Sequence, residues 1–211
     1  MQKPKGKTMH HLISSISIFI ALRFLPVFLL PVSCLLFFTA GDLYANESAV
    51  WNALKSGNHF ALLRHAIAPG TGDPGHFALG ECSTQRNLSH EGRNQAKKIG
   101  DRFRANGIDK VRVFSSQWCR CLETAKLLSL GPVQELPVLN SFFRHYERKK
   151  SQTQALKEWL VQQDFTQPLL LVTHQVNITA LTDIYPDSGE IIVVRQSKPG
   201  EFIVVGSVQT E

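Results

Sequence analysis

Three short apolar runs each end in residues that carry chemistry. Leu62-Leu63 runs into Arg64-His65, Val113-Phe114 into Ser115-Ser116, and Leu169-Leu170-Leu171-Val172-Thr173 into His174. Arg120 follows Ser116 by one helical turn. An apolar run bounded by turn residues reads as a buried strand, and open α/β sheets bind ligands beyond the carboxyl ends of their strands. If these strands are parallel, their ends share one edge, and two His and two Arg converge there. Such a set suits a phosphoryl group. Arg64 and Arg120 can grip non-bridging oxygens in bidentate fashion. One imidazole can attack phosphorus and form a covalent intermediate. The other, kept protonated by the phosphate, can stabilise developing charge. Two guanidinium groups and an imidazolium do this electrostatic work without a metal. Taken singly, Arg64-His65 would only close a strand.

The elements that position these residues follow from periodicity and punctuation. A short amphipathic helix is predicted over 46–57, with Val50, Trp51 and Leu54 on one face and Gly57 as its stop. The strand to His65 follows, then a loop from Ala66 to about Leu88. Loops of that length are functional or disordered. Its Asp73, Cys82 and Thr84-Gln85-Arg86-Asn87 read as a site mouth or as solvated coil. Ser89 opens a helix that Gly107 stops, with Glu91 favourable at its positive end. Further helices are predicted over 118–130, 151–163 and 176–184, and an extended edge over 133–139. Residues 190–195 and 201–208 form a hairpin around Lys198-Pro199-Gly200. The alternation predicts a three-layer α/β/α sandwich with a mostly parallel central sheet and an antiparallel C-terminal hairpin.

Four segments in this order resemble the histidine phosphatase superfamily, also called phosphoglycerate mutase-like. They are Leu63-Arg64-His65-Ala66, Leu88-Ser89-His90-Glu91-Gly92-Arg93-Asn94-Gln95-Ala96, Ser115 to Ala125 around Cys119-Arg120-Cys121, and Leu171-Val172-Thr173-His174. The resemblance implies that His65 is the phosphorylated nucleophile and that Arg64, Arg120 and His174 complete the phosphate site. Two positions depart from the family pattern. Ala66 stands where Gly is frequent, as in small members. Gln175-Val176 follow the second His where Gly-Gly or an Asp is frequent, which removes a phytase-like general acid. The proton donor is therefore sought among Glu147, Glu81 and Asp73. Mutases of the family carry a Glu in the middle region, which points to Glu147. Gln175 and Asn177 either touch the phosphate or cap the helix that begins there. Arg144, Arg148, Lys149 and Lys150 either recruit an anionic substrate or form a solvated face. His59, His76, His90 and His145 read as surface histidines.

Charge is uneven along the 211 residues. Lys3, Lys5, Lys7 and Arg23 against Asp42 alone put half of the +6 formal charge before residue 46. The lysines, the apolar stretch from Leu12 to Ala40 and the small residues Ala40 and Ala45 have the order of an export signal. Cleavage is expected near Ala45; the stretch is also long enough for a retained membrane anchor facing the periplasm. Residues 1–45 are thus read as signal peptide or anchor and 46–211 as the domain. The rest of the chain lacks the dense basic stripe of a nucleic-acid footprint. Cys34 falls in the export segment. Of Cys82, Cys119 and Cys121, an exported chain can oxidise two, and the spacing names neither the pair nor a metal site. The expectation is a small exported bacterial phosphomonoesterase, metal- and cofactor-independent, acting through phospho-His65. Its partner would be a small-molecule phosphoester, such as a sugar phosphate, or a phosphorylated envelope glycan. The alternatives are a non-catalytic anion-binding module with the same fold and a protein phosphohistidine phosphatase.

Overall fold

The structure, a computed structural model, describes residues 40–210. Most of the expected export segment, including Arg23 and Cys34, lies outside the described residues.

Six strands form one sheet: β1 (His59–Arg64), β2 (Arg112–Ser115), β3 (Val133–Glu135), β4 (Leu169–Thr173), β5 (Ile191–Lys198) and β6 (Glu201–Val208). Their order is β3-β2-β4-β1-β5-β6. The first four are mutually parallel, while β5 runs antiparallel to β1 and to β6. Five helices cover the sheet: α1 (Ala40–Lys55), α2 (His90–Ala105), α3 (Cys119–Leu127), α4 (Lys149–Val161) and α5 (Gln175–Thr182). Among the described residues no helix is long and apolar enough to cross a membrane.

Parallel strands covered on both faces read as continuous apolar runs, and β1 shows why. Ala61 and Leu63 pack with α1, α2 and α3 through Trp51, Ile99, Phe103 and Ala125. Phe60 and Leu62 point the other way, toward Leu156 and Leu160 of α4 and Ile178 of α5. Each large side chain so buried contributes roughly 1.5–3 kcal/mol. Trp51 meets Phe103 edge-on with ring centroids 5.0 Å apart, a favoured aromatic geometry.

The register sets the level of the strand ends. Arg64 lies opposite Thr173 and Ser115 opposite Val172. The next residues, His65, His174 and Ser116, therefore emerge together along one edge. Helix α2 is seated close behind it. Ser89 caps α2 by accepting the Gly92 amide at 3.0 Å. A methyl group on Gly92 would overlap the Ile67 carbonyl, two residues beyond His65.

The layers, the mostly parallel sheet and the antiparallel hairpin agree with the sequence-based expectation. Element ends differ. The extended edge over 133–139 is a three-residue strand followed by a 3-10 turn at Pro137–Leu139, because Pro137 has no amide to give the sheet. Helix α1 starts at Ala40 and runs through Ala45, the expected domain boundary.

Candidate active site

At the carboxyl edge of the parallel strands a cavity of about 440 Å³ opens over His65 and His174. The two imidazoles stand edge to face with centroids 5.5 Å apart. His65 is buried, and its Nδ1 lies 2.8 Å from the Ala66 carbonyl. A carbonyl only accepts, so Nδ1 carries the proton and Nε2 keeps its lone pair. That lone pair accepts from Nε of Arg120 at 3.2 Å.

Arg120 is the hub of the site. It enters from the first turn of α3, and only 3% of its side chain is exposed. Nη2 donates to Nδ1 of His174 at 3.3 Å. Nη1 donates to the Arg86 carbonyl at 3.3 Å. Asp73, from the long loop, closes on the outer side of the guanidinium with contacts of 2.7 and 3.3 Å. His174 in turn donates from Nε2 to Ser116 Oγ at 2.9 Å, and Ser116 donates to Asn140 Oδ1 at 3.2 Å. Arg64 bonds the Pro186 carbonyl at 2.8 Å through Nη1. Its Nε is buried with no acceptor among the described residues, which is a costly state.

Electrostatics follow from burial beside three arginines. Burial, then the charge of Arg120, pushes His65 down to about 3. The same two causes hold His174 well below the ordinary imidazole range. Both rings are therefore neutral near pH 7, and Nε2 of His65 keeps a free lone pair. Burial alone would raise the Asp73 carboxyl; Arg120, the Arg86 amide and the Trp118 indole together hold it below the usual carboxylate range.

The structure brings Arg64, His65, Arg120, His174 and Gln175 to one cavity. Glu147, the expected acid, is not among its lining residues. It sits on a 3-10 turn before α4, 72% exposed and 3.3 Å from His145 Nδ1. The turn places it instead at a separate surface pocket, beside Tyr146, Lys149 and Lys150. Glu81 is exposed as well. Asn177 fastens the frame instead of facing the phosphate site: its amide nitrogen donates to the Leu139 carbonyl and to Thr173 Oγ1, each at 2.8 Å. Arg144 and Arg148 of the basic cluster line the cavity, whereas Lys149 and Lys150 do not.

Two residues gain weight that spacing did not give them. Arg86 lines the cavity and donates to the Ala68 and Gly72 carbonyls, which folds the long loop over the site. Asp73 is the other. The only hint in the sequence was their placement in a long Gly-rich loop. That loop is also fixed covalently, by a disulfide between Cys82 and Cys119. Cys121 is free and buried, and burial pushes its thiol up to about 12, so it behaves as an apolar side chain. Among the described residues no group of three His, Cys, Asp or Glu side chains gathers at metal-ligand spacing.

Fold and site together define an α/β protein whose parallel-strand edge gathers Arg64, Arg86 and Arg120 around two neutral histidines. The family model of the histidine phosphatase superfamily (branch 1) matches residues 62–169, just over half of the chain, and the chain belongs to that superfamily. His174 lies past the matched segment. No curated protein sequence matches the chain. Among solved structures it is similar to the protein histidine phosphatase SixA in complex with tungstate, at 14% identity over 72% of this chain and 97% of that one, TM-score 0.53. It is also similar to the product of the open reading frame Rv3214 from Mycobacterium tuberculosis, at 17% identity over 70% and 95%, TM-score 0.51. A third is a phosphoserine phosphatase variant from Entamoeba histolytica in complex with phosphoserine, at 15% identity over 72% and 98%, TM-score 0.50. At these identities the likeness is one of fold.

Proposed function

We propose that this protein is a metal-independent phosphomonoesterase that works through a phosphohistidine on His65. The observation that carries the reading is the convergence of Arg64, His65, Arg120 and His174 at one strand edge, with the buried Arg64 Nε left without an acceptor. The phosphoryl oxygens take the donors of Arg64 and Arg120. His65 Nε2 attacks phosphorus, and its Nδ1–H stays on the Ala66 carbonyl, which steadies the phosphorylated ring. The dianionic phosphoryl group raises the proton affinity of His174, whose Nδ1 then turns from acceptor to donor. Water removes the phosphoryl group in a second step.

We further propose that the chain is a small exported bacterial member whose residues 1–45 are a signal peptide or anchor. The ordered lysine-apolar-small pattern before residue 46 supports this, as does the Cys82–Cys119 bridge, since disulfides persist in oxidising compartments. An envelope or extracellular phosphoester, such as a sugar phosphate, is the matching substrate class.

The test uses the full-length protein on an aryl phosphate in the presence of EDTA, beside His65→Ala. Turnover by the wild type and none by the variant is expected. Absence of turnover on a panel of phosphoesters sinks the enzyme reading; equal turnover by the variant sinks the mechanism; loss of activity with chelator sinks metal independence. Cell fractionation with intact-mass measurement tests export and cleavage.

A further inference from the structure

We infer that Asp73 is the proton carrier of the reaction, donating to the leaving-group oxygen in the first step and accepting from water in the second. The inference rests on the phosphatase reading above. Both steps need such a group. An alkoxide is a poor leaving group without a proton, and water is a poor nucleophile without a base. Glu147 and Glu81, the other carboxylates considered, do not face the cavity.

Among the described residues Asp73 is the sole carboxylate lining the cavity. It lies one guanidinium away from the attacking nitrogen, since Arg120 bonds Asp73 on one side and His65 Nε2 on the other. Its surroundings are built. The Trp118 indole N–H donates to Oδ2 at 3.1 Å and the Arg86 amide to Oδ1 at 3.1 Å. Phe77 stacks on Trp118 with centroids 4.9 Å apart. Only 11% of the Asp73 side chain is exposed. The loop that carries it has left-handed residues at Gly70 and Gly72, with φ of 91° and 70°, a backbone that glycine adopts without strain.

Bound substrate changes the partner of Asp73. The phosphoryl oxygens compete for the Arg120 donors and neutralise the guanidinium, which raises the proton affinity of the carboxylate. The substrate monoanion brings one proton, and Asp73 takes it. As the His65 Nε2–P bond forms, the P–O ester bond breaks, and the leaving oxygen keeps the electron pair and takes the proton from Asp73. The alcohol departs. Asp73 then removes a proton from water, the water oxygen bonds phosphorus, and the P–N bond breaks with its pair returning to His65. The proton on Asp73 leaves with inorganic phosphate.

The experiment compares full-length wild type and Asp73→Asn on an alkyl phosphate and on 2,4-dinitrophenyl phosphate, whose leaving group needs no proton. On the alkyl ester the variant should lose roughly 10²–10⁴-fold in kcat, the range that general acid–base catalysis contributes. On the dinitrophenyl ester it should release a burst of one equivalent of phenolate, within about threefold of the wild-type rate, and then stall as phosphohistidine, because the acid is dispensable and the base is missing. Equal losses on both esters with no burst would mean that Asp73 only positions Arg120, and would overturn the inference. Unchanged turnover on both would overturn it too. If the variant fails to fold, the wild type decides: rates nearly independent of leaving-group pKa support proton donation, and a steep dependence refutes it. A wild type that hydrolyses neither ester, nor any other in a panel, removes the phosphatase reading and this inference with it.

Discussion

Reducing the Cys82–Cys119 bridge should lower the melting temperature by roughly 8–16 °C. The bridge closes a loop with a sequence separation of 37 residues. In the chain-entropy treatment a loop of that size restricts the unfolded chain by about 4 kcal/mol. For a domain of this size each kcal/mol moves the midpoint by roughly 2–4 °C. Reduction should also be felt locally. Cys119 precedes Arg120, and the loop it tethers carries Asp73 and Arg86, so one bond links both sides of the Arg120–Asp73 ion pair. Amides of 70–87 should therefore exchange faster than the sheet amides in the reduced protein. Thermal unfolding by circular dichroism, with and without reductant and with the double change Cys82→Ser and Cys119→Ser, measures the global effect. A midpoint that moves by less than about 2 °C would show that Arg86, Asp73 and Trp118 hold the loop without the bridge, and the reasoning would fail.

Two further outcomes follow from the packing and charge of the site. Gly92→Ala should destabilise by about 1–3 kcal/mol through overpacking against the Ile67 carbonyl, although alanine is the better helix former; a denaturant midpoint above that of the wild type would contradict it. Stability should rise with pH between about 3 and 6.5 and level off above. In that window His65 stays neutral in the fold while the unfolded chain binds the proton, and His174 and the Asp73 carboxyl act in the same direction. For His65 alone the effect is on the order of several kcal/mol, and urea midpoints across the window check the sign.

The sequence carried the strand-borne part of the site. Arg64, His65 and His174 were legible because each directly adjoins an apolar run, and strand ends in a parallel sheet share an edge. Arg120 was legible because its helix starts right after the second run, which ends in Ser115-Ser116. Asp73, one of three candidate donors, and Arg86, a possible mouth residue, could not be placed, since their positions depend on a loop folded back through hydrogen bonds to Ala68 and Gly72 carbonyls, which leave no periodic trace. Cys82 and Cys119 could not be paired for the same reason. Glu147 was preferred from its place in the chain, but three-dimensional neighbours decide which carboxylate faces the cavity. Helix ends and the short β3 followed local capping and Pro137 more than hydrophobic pattern.

The strand order has a consequence for synthesis. His65 lies near the start of the described domain and His174 near its end, yet β1 and β4 are adjacent. No fragment that lacks β4 can assemble the site, because β4 also separates β1 from β2 and hence from α3 and Arg120. A growing chain thus passes most of its length with His65 made but Arg120 and His174 not yet beside it. The site closes only when a late segment is inserted into the middle of an existing sheet, a non-local step of the kind that makes folding slow. The strand-edge cluster therefore waits on β4, and the two core layers wait longer still, on Ile191 to Val194 of β5.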